Sequence, residues 1–322
     1  MTGETYYRDQ SAWRQLQQYL PESRRLTEDT APEEQFFDWR GHRVHLDRYP
    51  NPDAPAKVVL HHGVGTNGRQ MSMILGAPLA RRGWETVALD NLGYGMTQVR
   101  RGTTPGYSDW VELVTDYLAH ERGRDDRPIV LYGLSAGGML AYHVAAHAPR
   151  GTLSGIVGMT FLDQRRPAVW RASAHDAVTA RLGTPLISMA AKTPLRAVRY
   201  PMSLASKMSA LANDPGAMRV FGKDRTSAAS WVSVKFLDEY RRYTPDVEPA
   251  DFDVCPILHT QPAEDRWTPL ELSHPVLGPI TKVPVRTVML ESAGHYPLEE
   301  PGLTQMEDAV DRFVRDVTGT RA

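Results

Sequence analysis

A single cysteine, Cys255, stands in 322 residues, so no intramolecular disulfide can form and the fold must hold by packing alone. At the head of a strand-like run, Cys255 reads as a small buried hydrophobe. The chain also lacks any run of about 18 apolar residues, which excludes a spanning helix. Its start, Met1 to Arg8, has no basic segment followed by an apolar core, so a cytoplasmic location is expected. Charge of one sign is missing too: 37 Lys/Arg against 38 Asp/Glu give a net charge of −1, and no nucleic-acid affinity follows from that total. No internal repeat or low-complexity tract is present. What remains is an ordinary apolar content of 41% in a chain long enough to bury a substantial core as one domain with an insertion.

The organisation follows an alternation of two periodicities. Strand-like segments near 35–39, 42–48, 57–62, 86–90, 128–133, 155–162, 255–260 and 285–290 are interleaved with amphipathic stretches near 69–82, 107–121, 136–148 and 303–317. That alternation predicts an α/β fold: a doubly wound, mostly parallel sheet with helices on both faces. Arg40-Gly41 between the first two segments predicts a hairpin, so the sheet opens antiparallel. A leading helix over about Gln10 to Tyr19 is set off from the core by Pro21 and by Asp29 to Pro32.

The most informative local pattern is Gly133-x-Ser135-x-Gly137, which follows the strand-like Ile129-Val130-Leu131-Tyr132 and opens directly into a helical stretch. A serine at such a strand-to-helix apex is forced into a strained backbone region, and flanking glycines leave room for the strand and helix to approach each other. A serine hydroxyl is a weak nucleophile at neutral pH, so this geometry calls for a histidine base, a carboxylate to orient it and two amides for a developing oxyanion. The chain offers all of them just beyond strand ends. Val64 follows Val58 to His62 in a Gly-rich turn, and its amide pairs in expectation with that of Ala136. Asp265 follows the run at Pro256 to His259, and His295 follows the run at Val285 to Leu290.

His62-Gly63, Asp90-x-x-Gly93-x-Gly95, the serine motif, Asp265-x-x-x-Pro269 and Gly294-His295 together resemble the α/β-hydrolase family, in the branch of monoacylglycerol lipases, lysophospholipases and carboxylesterases. The resemblance runs from about residue 35 to 315. It implies an α/β-hydrolase fold with an inserted helical cap, and Ser135 as nucleophile, His295 as base and Asp265 as its carboxylate. It also implies cleavage of a small, hydrophobic carboxylic ester with no metal and no cofactor. One departure is visible: Pro262 stands three residues before the acid, where the family usually carries glycine. The same machinery serves amidases, thioesterases, lactonases and acyltransferases.

Competing assignments exist for several positions. Asp163, closing the sixth strand-like segment, is an alternative acid, and Glu264 adjoins Asp265. His42, His45, His143 and His147 read as packing or surface residues, and His62 as a turn residue. Gly63-x-Gly65-x-x-Gly68 with Asp90 some twenty residues on satisfies the dinucleotide fingerprint and would make the chain an NAD(P)-dependent oxidoreductase. Two strand-like segments precede those glycines, whereas the fingerprint usually opens its domain, and no Tyr-x-x-x-Lys occurs. A non-catalytic ligand receptor on the same scaffold is the remaining alternative.

Residues 163–250 divide a core of 1–162 and 251–322, and ninety residues without a clear sheet strand must carry their own structure. Helices are expected over Ala174–Arg181, Pro194–Tyr200, Leu204–Asn213 and Ala228–Tyr240. Met159, Trp170, Met189, Met202, Trp231 and Trp267 are the candidate pocket residues, Met-rich and adaptable. The segment is also basic, with eleven Lys/Arg against four Asp/Glu between 163 and 225, which fits either a solvated surface or an anionic group on the substrate.

Overall fold

The computed structural model describes residues 6–174 and 184–320. Eight strands form one sheet: β1 (Glu33–Trp39), β2 (His42–Tyr49), β3 (Lys57–His61), β4 (Glu85–Leu89), β5 (Ile129–Gly133), β6 (Gly155–Gly158), β9 (Ile257–Pro262) and β10 (Val285–Leu290). Two three-residue strands, β7 (Arg199–Pro201) and β8 (Trp231–Ser233), pair separately. The sheet order is β1-β2-β4-β3-β5-β6-β9-β10, with β2 antiparallel to both neighbours and every later pairing parallel. Arg40 and Gly41 both take positive φ, at 49° and 81°, which gives the hairpin a turn matched to the twist of its strands.

The central strands β3, β4, β5 and β6 are buried at every position, as expected where helices cover both faces. The helix Ala136–His147 is buried from Ala136 to Ala145, and Gly302–Thr318 lays an apolar stripe on the sheet. From β3 the chain steps outward to β4 and then returns to the other side of β3 as β5. Strand order therefore reverses between β3 and β5, and a crevice opens beyond their carboxyl ends. Among the described residues no helix is long and apolar enough to cross a membrane.

Between β6 and β9 the expected helices are redrawn. Pro167–Ser173, Thr184–Ala190, Pro215–Phe221 and Val234–Arg242 are the main ones. Most of the helix expected at Ala174–Arg181 lies outside the described residues. Pro194–Tyr200 resolves into a 3-10 turn running into β7, and Leu204–Asn213 into short turns. Ser233 accepts a hydrogen bond from the Phe236 amide (3.1 Å) and so starts the last helix at Val234, leaving β8 before it. Asp214-Pro215 is a helix start the pattern reading passed over: the Asp214 carboxylate caps the amides of Gly216 (2.6 Å) and Ala217 (2.9 Å). At the other end of the chain, the leading helix shrinks to Ala12–Leu16 between 3-10 turns.

Candidate active site

Ser135 sits between β5 and the helix Ala136–His147 with φ +56° and ψ −122°, a conformation costing a non-glycine residue on the order of 1–3 kcal/mol. The surrounding glycines make this turn physically attainable. A Cβ on Gly133 would run into the Gly137 carbonyl, and one on Gly138 into that of Thr160. Gly133→Ala is therefore expected to cost more than about 3 kcal/mol and to lower Tm by several degrees in a calorimetric melt; an unchanged Tm would refute this account of the turn.

The loop after β3 closes on the same apex. A Cβ on Gly63 would lie 2.9 Å from the Ser135 Cβ and 3.1 Å from the Ala136 nitrogen, so only a bare backbone fits there. Among the described residues neither the Val64 amide nor the Ala136 amide donates a hydrogen bond. This loop is fixed from behind by Asp90, which is fully buried. Asp90 accepts from the amides of Gly68 (2.7 Å) and Met96 (2.8 Å) and from the Tyr7 hydroxyl (2.9 Å), and it pairs with His45 Nδ1 (3.1 Å). Burial works against charging His45, but Asp90 and Glu34 on its two nitrogens outweigh burial and raise its pKa to about 9. His62 shapes the turn, donating through Nδ1 to the Gly63 carbonyl (2.7 Å) and accepting the Asn91 amide on Nε2 (2.9 Å); burial lowers its pKa.

These contacts remove the dinucleotide reading. Asp90, which that reading needs for a ribose hydroxyl, is inaccessible and saturated, and Gly63 packs on the serine turn rather than facing a pyrophosphate. Among the described residues Glu34, His45 and Asp47 bring potential metal-ligating atoms together, but the Arg69 guanidinium already pairs with Asp47 (2.6 Å) and lies 3.6 Å from Glu34. A cation there would meet a resident cation.

Asp265 and His295 come together from the loops after β9 and β10. His295 Nδ1 lies 2.9 Å from Asp265 Oδ2, with both side chains buried. The carboxylate accepts in four directions: from Nδ1, from the amides of Trp267 and Thr268 (both 2.8 Å) and from the Thr268 hydroxyl (2.7 Å). Burial alone would raise the Asp265 pKa; the His295 charge and hydrogen bond, with the Thr268 donors, reverse this and lower it. A carboxylate held ionised keeps the proton on Nδ1, so Nε2 is left as the acceptor nitrogen, and Nε2 is buried with no hydrogen-bond partner. Thr268, also 3.1 Å from His295 Nδ1, is a member of this cluster that sequence reading missed, because nothing in its spacing announces a hydroxyl on the acid.

The competing acids are elsewhere. Asp163 is engaged by Arg165 (2.9 Å) and Arg166 (3.5 Å), and Glu264 is exposed. His143 is buried against the Tyr107 hydroxyl (2.9 Å), while His147 pairs with Asp246 at the surface.

A cavity of about 30 Å³ adjoins Ser135. Val64, Trp170, Met202, Trp267 and Thr268 line it, with Gln164 and Tyr240. Three of the six expected pocket residues are therefore there and three are not. Met159 is buried in the sheet's core, Met189 is 66% exposed, and Trp231 is 51% exposed and borders a separate cleft with Arg199. Periodicity finds apolar positions but not the direction in which an insertion presents them.

A model of the alpha/beta hydrolase family matches residues 58–310. No curated protein sequence matches the chain. Among solved structures it is similar to a soluble variant of monoglyceride lipase from Saccharomyces cerevisiae bound to a substrate analog. That pair has a TM-score of 0.73 at 15% identity, covering 91% of this chain and 98% of the other. It is also similar to a monoacylglycerol lipase from Paleococcus ferrophilus (TM-score 0.62, 17% identity, 86% and 99% covered). A third similar structure is an N-acyl homoserine lactonase complexed with N-butanoyl homoserine (TM-score 0.59, 14% identity, 90% and 99% covered). With the family model spanning most of its length and the eight-stranded, mostly parallel sheet beneath the site, the chain belongs to the alpha/beta hydrolase family.

Proposed function

We propose that the protein is a serine hydrolase that cleaves carboxylic esters with an apolar acyl part, and that residues 163–250 act as its cap. The observation that carries this reading is His295, with Nδ1 tied to a saturated carboxylate and Nε2 buried and unpaired, in a cluster whose Thr268 lines the same cavity as Ser135, itself held at positive φ. In this mechanism Nε2 takes the proton of the Ser135 hydroxyl as its oxygen attacks the ester carbonyl. Asp265 fixes the imidazole's tautomer and stabilises its charge. The amides of Val64 and Ala136 receive the oxyanion, the alcohol leaves with the proton from His295, and water then releases the acid from the acyl-enzyme. No step calls on a metal or cofactor.

Labelling of Ser135 by a fluorophosphonate tests the reading directly. A receptor with a misaligned site, or an oxidoreductase, would not label; a panel of esters, thioesters, amides and lactones then separates the activities that share this machinery.

Among the described residues the cavity lining contains no Lys or Arg. Turnover is therefore expected to rise with acyl length, by up to about fourfold per methylene at about 0.8 kcal/mol each, until the pocket is filled. KM is expected to stay flat between low and high salt, since screening acts on a charged contact that this pocket does not offer. Nitrophenyl esters of graded length measured at two ionic strengths check both; equal rates for acetate and octanoate would remove the apolar pocket from the account.

A further inference from the structure

Gln164 stands in the loop beyond β6, 4% exposed, on the wall of the cavity that contains Ser135. Its amide nitrogen donates to the Ser173 hydroxyl and the Tyr240 hydroxyl, both at 3.2 Å, which holds the side chain from two helices of the insertion. Its carbonyl oxygen, Oε1, is buried and has no hydrogen-bond partner. Elsewhere on the lining the residues are mainly apolar: Leu162, Trp170, Met202, Leu237 and Trp267. Buried amide oxygens are almost always paired, and a group on the substrate can supply the donor that the protein does not give Gln164.

We propose that Gln164 is a specificity-determining residue that selects substrates whose acyl arm carries a hydrogen-bond donor, a hydroxyl or an amide N–H. The proposal rests on the serine-hydrolase reading and adds the substrate class. The acyl arm is the part concerned because it stays bonded to Ser135 after the alcohol has left, so it occupies the pocket that Ser135 and Gln164 share. Apolar walls discriminate weakly, by about 10- to 200-fold per methylene, whereas a site built to hydrogen-bond a substrate group rejects the analogue lacking it by up to about 10⁴-fold or more. Gln164 gives an otherwise apolar pocket the second kind of selectivity.

The test compares four aryl esters: of hexanoic acid, of β-hydroxyhexanoic acid, of β-methoxyhexanoic acid and of N-acetylglycine. With the wild-type protein, kcat/KM for the hydroxy ester, the amide ester or both is expected to exceed that for the hexanoate at least about tenfold, and which of the two leads identifies the donor. The methoxy ester, an acceptor only, gains nothing. Gln164→Leu is expected to abolish the preference by lowering the donor esters, while the plain ester stays within about threefold. Labelling by a small fluorophosphonate, which carries no acyl arm, should proceed in both proteins at similar rates. No preference in the wild type, a preference for the methoxy ester, or an equal fall of all four esters and of labelling in Gln164→Leu would each overturn the proposal. Absence of labelling in the wild type would instead overturn the hydrolase reading, and this proposal with it.

Discussion

Ser135→Ala is expected to lose ester turnover by at least about 10⁴-fold while the protein keeps its fold. The loss is chemical: no other hydroxyl occupies the apex between β5 and the following helix, and the acyl-enzyme cannot form without that oxygen. The fold survives because alanine keeps the Cβ and therefore the same strained φ of +56°, and because the glycines that admit the turn are untouched. Residual activity is expected from the free amides of Val64 and Ala136, which still polarise a bound carbonyl. Initial rates on a nitrophenyl ester, with a thermal melt beside them, decide the matter. Activity within tenfold of the wild type, at an unchanged Tm, would remove Ser135 from the mechanism.

Asp265→Asn should cost about 10⁴-fold in kcat. An amide in place of the carboxylate presents a nitrogen donor to His295 Nδ1 or, turned round, loses two of the four donors Asp265 now satisfies: Nδ1, the Trp267 and Thr268 amides and the Thr268 hydroxyl. In the first arrangement the imidazole proton moves to Nε2, where the base must accept. Asp163→Asn is the matched control, since it loosens the pairing with Arg165 and Arg166 without touching His295 and is expected to leave kcat within a few fold. The reversed pattern would move the acid to the end of β6.

The order of the strands was legible because each central strand is a short apolar run bounded by turn residues, and all eight fall within a few residues of where periodicity puts them. The serine turn was legible for a local reason as well, since glycine spacing, strand and helix lie within a dozen residues of one another. The insertion was not legible to the same degree. Its strands are three residues long, two of its helices begin at the side-chain caps Asp214 and Ser233 rather than at periodic runs, and its apolar residues serve packing, pocket and exposed surface alike.

Sequence alone therefore determined the fold class and the serine's strand-to-helix turn, and it named the residues proposed to serve that serine, because these depend on local spacing and on strand ends that the parallel sheet gathers at one edge. Tertiary structure decided the rest. It separated Asp265 from Asp163 by giving one to a histidine and the other to an arginine. It spent Asp90 on the loop that holds Val64, and it sent Met189 and Trp231 outward while turning Gln164 in. Each of these outcomes is a competition for a hydrogen-bond or packing partner far away in the chain, and only the folded geometry sets those distances.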